Sequence, residues 1–137
     1  MGDREKKILI VDDEPNMCWS LEHLLEKNGF TVVKALSGRE ALASIETKRF
    51  RFAFLDAKLP DMDGLELARR IQEMDPSVYI VMVSGYFYER DTVVQEALAE
   101  GLISGFIAKP FMHADILRAI EAEPCFRVRP SGADSLE

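Results

Sequence analysis

The 137-residue sequence predicts an α/β domain, a five-stranded parallel sheet with helices packed on both faces. Three observations carry that prediction. Short apolar runs without polar alternation, such as Ile8-Leu9-Ile10-Val11 and Val78 to Val83, mark strands covered on both faces. Between the runs lie stretches with apolar residues at three- and four-residue spacing, the pattern of amphipathic helices. The two kinds of segment alternate five times, and parallel neighbours need helical crossovers of this sort.

Each element has its own local reason. The first strand, Ile8 to Val11, stops at Asp12-Asp13-Glu14, and Pro15 suits the first turn of the helix that follows. Met17, Cys18, Leu21, Leu24 and Leu25 form the apolar face of that helix, with Trp19 expected at its edge and Gly29 ending it. Phe30 to Leu36 reads as the second strand. Ser37 with Glu40 makes a capping box for a helix carrying Ala41, Leu42 and Ile45. Residues 51 to 55 form the third strand and run into Asp56. After a loop, Leu65, Ala68, Ile71 and Met74 outline a third helix that closes before Pro76. Val78 to Val83 is the fourth strand and ends at Ser84-Gly85. Asp91 is placed to cap a fourth helix bearing Val93, Val94, Ala97 and Leu98, stopped by Gly101. Gly105 to Ala108 is a short fifth strand, and Ile116, Leu117 and Ile120 mark the last helix. Residues 1–123 are expected to form one domain, and 124–137 a tail or linker without periodicity.

Composition narrows the class of function. The apolar and charged fractions, 47% and 30%, are those of a globular domain. A formal net charge of -7 argues against direct binding of nucleic acid by general electrostatics. No apolar run is long enough to insert in a membrane, and the polar N-terminal residues do not resemble a signal peptide. Cys18 and Cys125 match no metal or disulfide framework, which favours a reducing, cytoplasmic setting.

The chemistry lies at the strand ends. Four of the five strands end in a polar residue of a particular kind: Asp12-Asp13, Asp56, Ser84 and Lys109. A parallel sheet brings these ends to one edge, where open α/β folds form their ligand crevice. Carboxylates crowded together repel, so a cation is expected among them. Mg2+ (or Mn2+) suits an all-oxygen site that must leave room for a phosphate.

At this point the sequence resembles a family, the response-regulator receiver domains of two-component phosphorelays, which include the bacterial chemotaxis regulator. The matching pieces are Ile8–Glu14 (ILIVDDE), Phe54–Gly64 (FLDAKLPDMDG), Val81–Gly85 (VMVSG) and Phe106–Phe111 (FIAKPF), within about residues 6 to 122. Any one is weak; all four in order are specific. The resemblance implies a flavodoxin-like (βα)5 fold with strand order 2-1-3-4-5. It implies Asp56 as phosphoacceptor, Asp13 as a direct Mg2+ ligand, Asp12 as a ligand through water, and Lys58 as the residue whose main-chain carbonyl reaches the metal. Ser84 matches the hydroxyl that binds the phosphoryl group and Lys109 the lysine that neutralises it, with a cis Lys109-Pro110 bond. Phe106 takes the place of the switch aromatic, which is more often Tyr.

The implied partners are a histidine kinase or phosphotransfer protein upstream and a downstream protein or effector domain. Members catalyse their own phosphorylation and slow dephosphorylation. Many pair as homodimers through the fourth helix, fifth strand and fifth helix. One alternative is a docking module of the same fold that ignores phosphate. Another is an aspartyl phosphohydrolase, disfavoured because Lys58 stands where that chemistry wants a second acid. The segment from Ser84 to Phe106 is longer than usual for the family. The extra length falls at Tyr86-Phe87-Tyr88-Glu89-Arg90 and near Leu102-Ile103-Ser104. The three aromatics are expected either to pack over the fourth helix or to form a partner surface, and Lys58 with Tyr86 to tune phosphate lifetime. His23 and His113 are assigned no role.

Overall fold

The computed structural model describes residues 7–85, 87 and 90–122. Tyr86, Tyr88, the tail 124–137 and the Met17 side chain lie outside that description. The chain runs β1 (Lys7–Val11), α1 (Pro15–Lys27), β2 (Thr31–Ala35), α2 (Gly38–Thr47), β3 (Phe52–Asp56), α3 (Gly64–Met74), β4 (Tyr79–Ser84), α4 (Thr92–Glu100), β5 (Gly105–Ala108) and α5 (His113–Glu121). The five strands are parallel in the order β2-β1-β3-β4-β5, as the resemblance implied.

Strand alternation divides the core cleanly. Leu9, Val11, Ala53, Leu55, Ile80 and Met82 face one way, onto Ala41 and Ile45 of α2, Leu67, Ala68 and Ile71 of α3, and Val94 and Ala97 of α4. Their neighbours Ile8, Ile10, Phe52, Phe54, Val81 and Val83 face the other way, onto Leu21, Leu24 and Leu25 of α1 and Ile116 and Ile120 of α5. Both faces of β1 and β3 are therefore covered, which is why their sequences show no polar alternation.

Helix ends follow their local chemistry. Ser37 accepts from Glu40 N, but the Glu40 carboxylate reaches back to the N–H of Leu36 rather than to Ser37 itself. Asp91 occupies the N-cap of α4 without a side-chain capping bond. Asp115 rather than His113 ties down the start of α5, accepting from Met112 N at 2.8 Å. Gly29 and Gly101 follow their helices at φ 92° and 78°, the left-handed region where a Cβ is costly.

Two expectations about the apolar faces are corrected, and the added length near Leu102 finds its place. Trp19 is 60% exposed and stacks on His23 with ring centroids 4.7 Å apart, because its position points away from the sheet. Met74 is 43% exposed, one turn past the last buried residue of α3. The added length near Leu102 is inward-facing: Leu102 and Ile103 are buried, and Ser104 N donates to Ile80 O at 2.7 Å.

Cys18 packs beneath the end of β1 and its Sγ donates to the Asp12 carbonyl oxygen at 3.3 Å. Burial, with the Asp12 charge adding to it, pushes the thiol up to about 11. Less than about 1% of it is then thiolate at pH 8.5, and the thiolate is the reactive species. In a Cys125→Ser background, Cys18 should resist iodoacetamide at that pH and react on addition of denaturant. Rapid alkylation of the native state would contradict this placement.

Candidate functional site

Register assembles the site from distant sequence. Val11 pairs with Leu55, so Asp12 leaves β1 beside Asp56 at the end of β3. Asp56 lies opposite Val83, one residue before Ser84. Ser84 pairs with Ala108, and the N–H of Lys109 donates to Ser84 O at 2.8 Å. Asp12, Asp13, Asp56, Ser84 and Lys109 thus meet at the carboxyl edge of the sheet. Each of the three aspartates offers a carboxylate oxygen, and these oxygens lie within 4.8 Å of one another. The peptide bond between Lys109 and Pro110 is cis.

The carboxylates occupy different surroundings. Asp12 is buried; its Oδ1 accepts from Glu14 N at 2.9 Å and its Oδ2 from Lys109 Nζ at 3.0 Å. Asp13 is exposed. Asp56 is half-buried, with Lys109 Nζ 3.7 Å from its Oδ2, an ion pair longer than a hydrogen bond. Burial raises the Asp56 carboxyl above the usual carboxylate range, and the Asp12 charge adds to that. Lys109 and the N–H groups of Lys58 and Ala57 pull the other way and do not cancel the rise. One ammonium among three carboxylates leaves negative charge uncompensated. An all-oxygen set with that excess fits a hard divalent cation.

Ser84 is fully buried, and its Oγ accepts from Phe87 N at 3.1 Å. Phe87 is half-buried against the side of the core that α2, α3 and α4 cover. Phe106 is half-buried against the same core, across from Met82. Lys58 is exposed, which suits a role carried by its main chain. His23 and His113 lie on the outer surfaces of α1 and α5.

The loop after Asp56 is closed on itself. Gly64 N donates to Ala57 O at 2.7 Å, Leu59 N to Met62 O at 3.2 Å, and Lys58 and Asp63 form an antiparallel bridge. Sequence reasoning missed two polar features here. One is the direct pairing of Lys109 with Asp12. The other is Asp61, whose carboxylate reaches the start of α2, 23 and 22 residues earlier in the chain. No local pattern announces a partner at that separation.

Gly64 shows how tightly the loop is drawn. A Cβ there would land on the Asp56 carbonyl oxygen and lie 2.8 Å from Ala57 Cα, both backbone atoms that cannot swing aside. Gly64→Ala should therefore destabilise the fold by about 1–3 kcal/mol, seen as a lower Tm. An unchanged Tm would contradict the closeness of the loop.

The comparisons with known proteins agree with this fold. A family described as the response regulator receiver domain matches residues 8–121. The chain is 33% identical over 116 residues to sporulation initiation phosphotransferase F of Bacillus subtilis, spanning 85% of this chain and 91% of that protein. It is 32% identical over 117 residues to the alkaline phosphatase synthesis transcriptional regulatory protein PhoP of the same organism, spanning 85% of this chain but 48% of that one. A CheY-like receiver domain protein of Methanospirillum hungatei matches in structure with a TM-score of 0.78 at 34% identity, over 85% of this chain and 90% of that chain. The response regulator TrrA of Thermotoga maritima, solved in complex with Mg(2+)-BeF, matches with a TM-score of 0.73 at 27% identity, over 85% and 96%. Fold, strand order and sequence coverage converge: the chain belongs to the response regulator receiver domain family.

Proposed function

We propose that this domain accepts a phosphoryl group on Asp56 and uses it to switch a partner or effector domain. The observation that carries the reading is the half-buried Asp56 carboxylate, at the sheet edge beside two other aspartates and Lys109. A carboxylate so placed can act as a covalent nucleophile. One Oδ of Asp56 attacks phosphorus; the new P–O bond forms as the donor's P–N bond breaks, and the departing imidazole of a phosphohistidine keeps or gains its proton. The donor is a histidine kinase or a phosphotransfer protein.

Asp13 would hold Mg2+ directly and Asp12 through water, with Asp56 and the Lys58 main-chain carbonyl completing the protein's share. Bound there, the ion supplies positive charge to the phosphoryl oxygens, the main electrostatic requirement of this transfer. Lys109 already sits between Asp12 and Asp56 and has only to turn from one carboxylate toward the incoming group. The Ser84 hydroxyl accepts from Phe87 N, and a hydroxyl is a donor as well as an acceptor, so in this reading it turns its proton to a phosphoryl oxygen. That bond would draw the Ser84–Phe87 segment toward the site and change the packing of Phe106. A switch needs only a difference in stability between the two arrangements, not a phenolic hydroxyl at position 106. Two copies pairing through α4, β5 and α5 is one form the output can take. Among the described residues no helix is long and apolar enough to cross a membrane; the proposed phosphodonor, a kinase or phosphotransfer protein, places the domain in the cytoplasm.

Intact mass after incubation with acetyl phosphate tests the reading. The native chain should gain one phosphate only when Mg2+ is present, and Asp56→Asn should gain none. Lys109→Ala should slow uptake by tenfold or more, on the order of what one lost electrostatic group costs such a site. Phosphate retained in Asp56→Asn would show that another residue is the acceptor.

A further inference from the structure

Asp61 has the most unusual polar contacts outside the cluster itself. Its Oδ1 accepts from Gly38 N at 2.8 Å and its Oδ2 from Arg39 N at 2.9 Å, so one carboxylate bridges the first two N–H groups of α2. Ser37 meanwhile takes the next two, its Oγ accepting from Glu40 N and its carbonyl from Ala41 N, both at 3.1 Å. The end of α2 is thus fully satisfied by two separate residues, one from its own strand connection and one from the loop after β3. The carboxylate also meets the positive end of the helix dipole. The two N–H groups hold the Asp61 carboxyl below the usual carboxylate range.

A second contact fixes the same junction. Gly38 lies against the Met62 side chain so closely that a Cβ would come within 2.6 Å of its Cγ and Sδ. Residues 61 and 62, at the tip of the loop, are therefore held on α2 by a two-pronged polar contact and an apolar one. The loop is a small closed hairpin in which Leu59 is bonded to Met62 and Lys58 is bridged to Asp63. Any tilt of its tip moves the Lys58 peptide, which lies on the opposite leg.

We infer that Asp61 is a positioning residue for the cation site: by clamping the loop tip to α2 it sets the orientation of the Lys58 main-chain carbonyl. The inference rests on the proposed role of that carbonyl as a metal ligand. A carbonyl ligand works only if held to within about 0.5 Å, and the bridge from Lys58 to Asp63 ties its peptide to the leg that carries the clamped tip. Groups that orient ligands without touching the metal commonly change its affinity by about tenfold or more.

The test is calorimetric titration of the full chain with Mg2+, without any phosphodonor. Asp61→Ala should bind Mg2+ about 10-fold more weakly, and Asp61→Asn, which keeps one acceptor oxygen, about 3-fold more weakly. Ser37→Ala removes the other α2 cap and lowers Tm, but should leave Mg2+ affinity unchanged. With acetyl phosphate, Asp61→Ala should need more Mg2+ for half-maximal uptake and reach the native rate at saturation. Equal losses in the Ala and Asn variants would mean that only the charge matters, and would overturn positioning. So would native affinity in Asp61→Ala, or an equal loss in Ser37→Ala. A native chain that binds no Mg2+ would overturn the cation site itself. A native chain that binds Mg2+ but takes up no phosphate would overturn the phosphoacceptor reading and leave the clamp to be judged by the affinities.

Discussion

Three carboxylates converge at the end of this sheet with one ammonium between them, and the fold holds them there against their mutual repulsion. Two unit charges 4.8 Å apart repel by about 3–4 kcal/mol at an effective dielectric constant of 20. The Lys109 bond to Asp12 offsets part of that. The rest is carried by the strands. Ile8, Leu9, Ile10 and Val11 of β1 and Phe52, Phe54 and Leu55 of β3 are 0–1% exposed, and each such side chain contributes about 1.5–3 kcal/mol on burial. Packing therefore wins, and the aspartates must accept the positions that the register gives them. The site is stored electrostatic tension, relieved by whatever positive charge enters.

That tension explains why the surroundings are so firmly built. The loop after Asp56 has its own turn, its own bridge and a glycine where nothing larger fits. Its tip is bound to α2, and the end of β4 is bound to the end of β5 through Lys109 and Ser84. The Ser84 hydroxyl is bonded to Phe87, on the segment leading toward α4, and Phe106 is half-buried on β5. In the proposed reading, new charge at Asp56 is read as a change of packing at Ser84 and Phe106.

The sequence showed this fold clearly because its signals were local and redundant. Uninterrupted runs such as Ile8 to Val11 can sit only between two layers, and the polar residue after each run marked the same edge of the sheet four times. What was hidden depended on contacts across the chain. Nothing near Asp61 says that its partner is the N–H of Gly38, because a backbone donor carries no sequence signature. Trp19 looked like the border of a helix face, yet it lies outside that face; its stacking on His23 uses an i,i+4 pairing that an apolar pattern does not distinguish from core. A capping box would return the Glu40 carboxylate to the N–H of Ser37, but it accepts from the neighbouring Leu36 N–H instead, a one-residue difference that the sequence pattern does not show.

The central claim is that Asp56 is held, crowded by like charge, for a cation to relieve. Thermal melting of the native chain and of Asp56→Asn, each with chelator and with excess Mg2+, tests it directly. The account predicts that the variant melts higher than the native chain in chelator, by about 3 °C for each 1 kcal/mol of relieved repulsion in a domain of this size. It also predicts that Mg2+ raises the native Tm and barely moves that of the variant. A variant that melts lower in chelator, or that gains as much from Mg2+ as the native chain does, would contradict it.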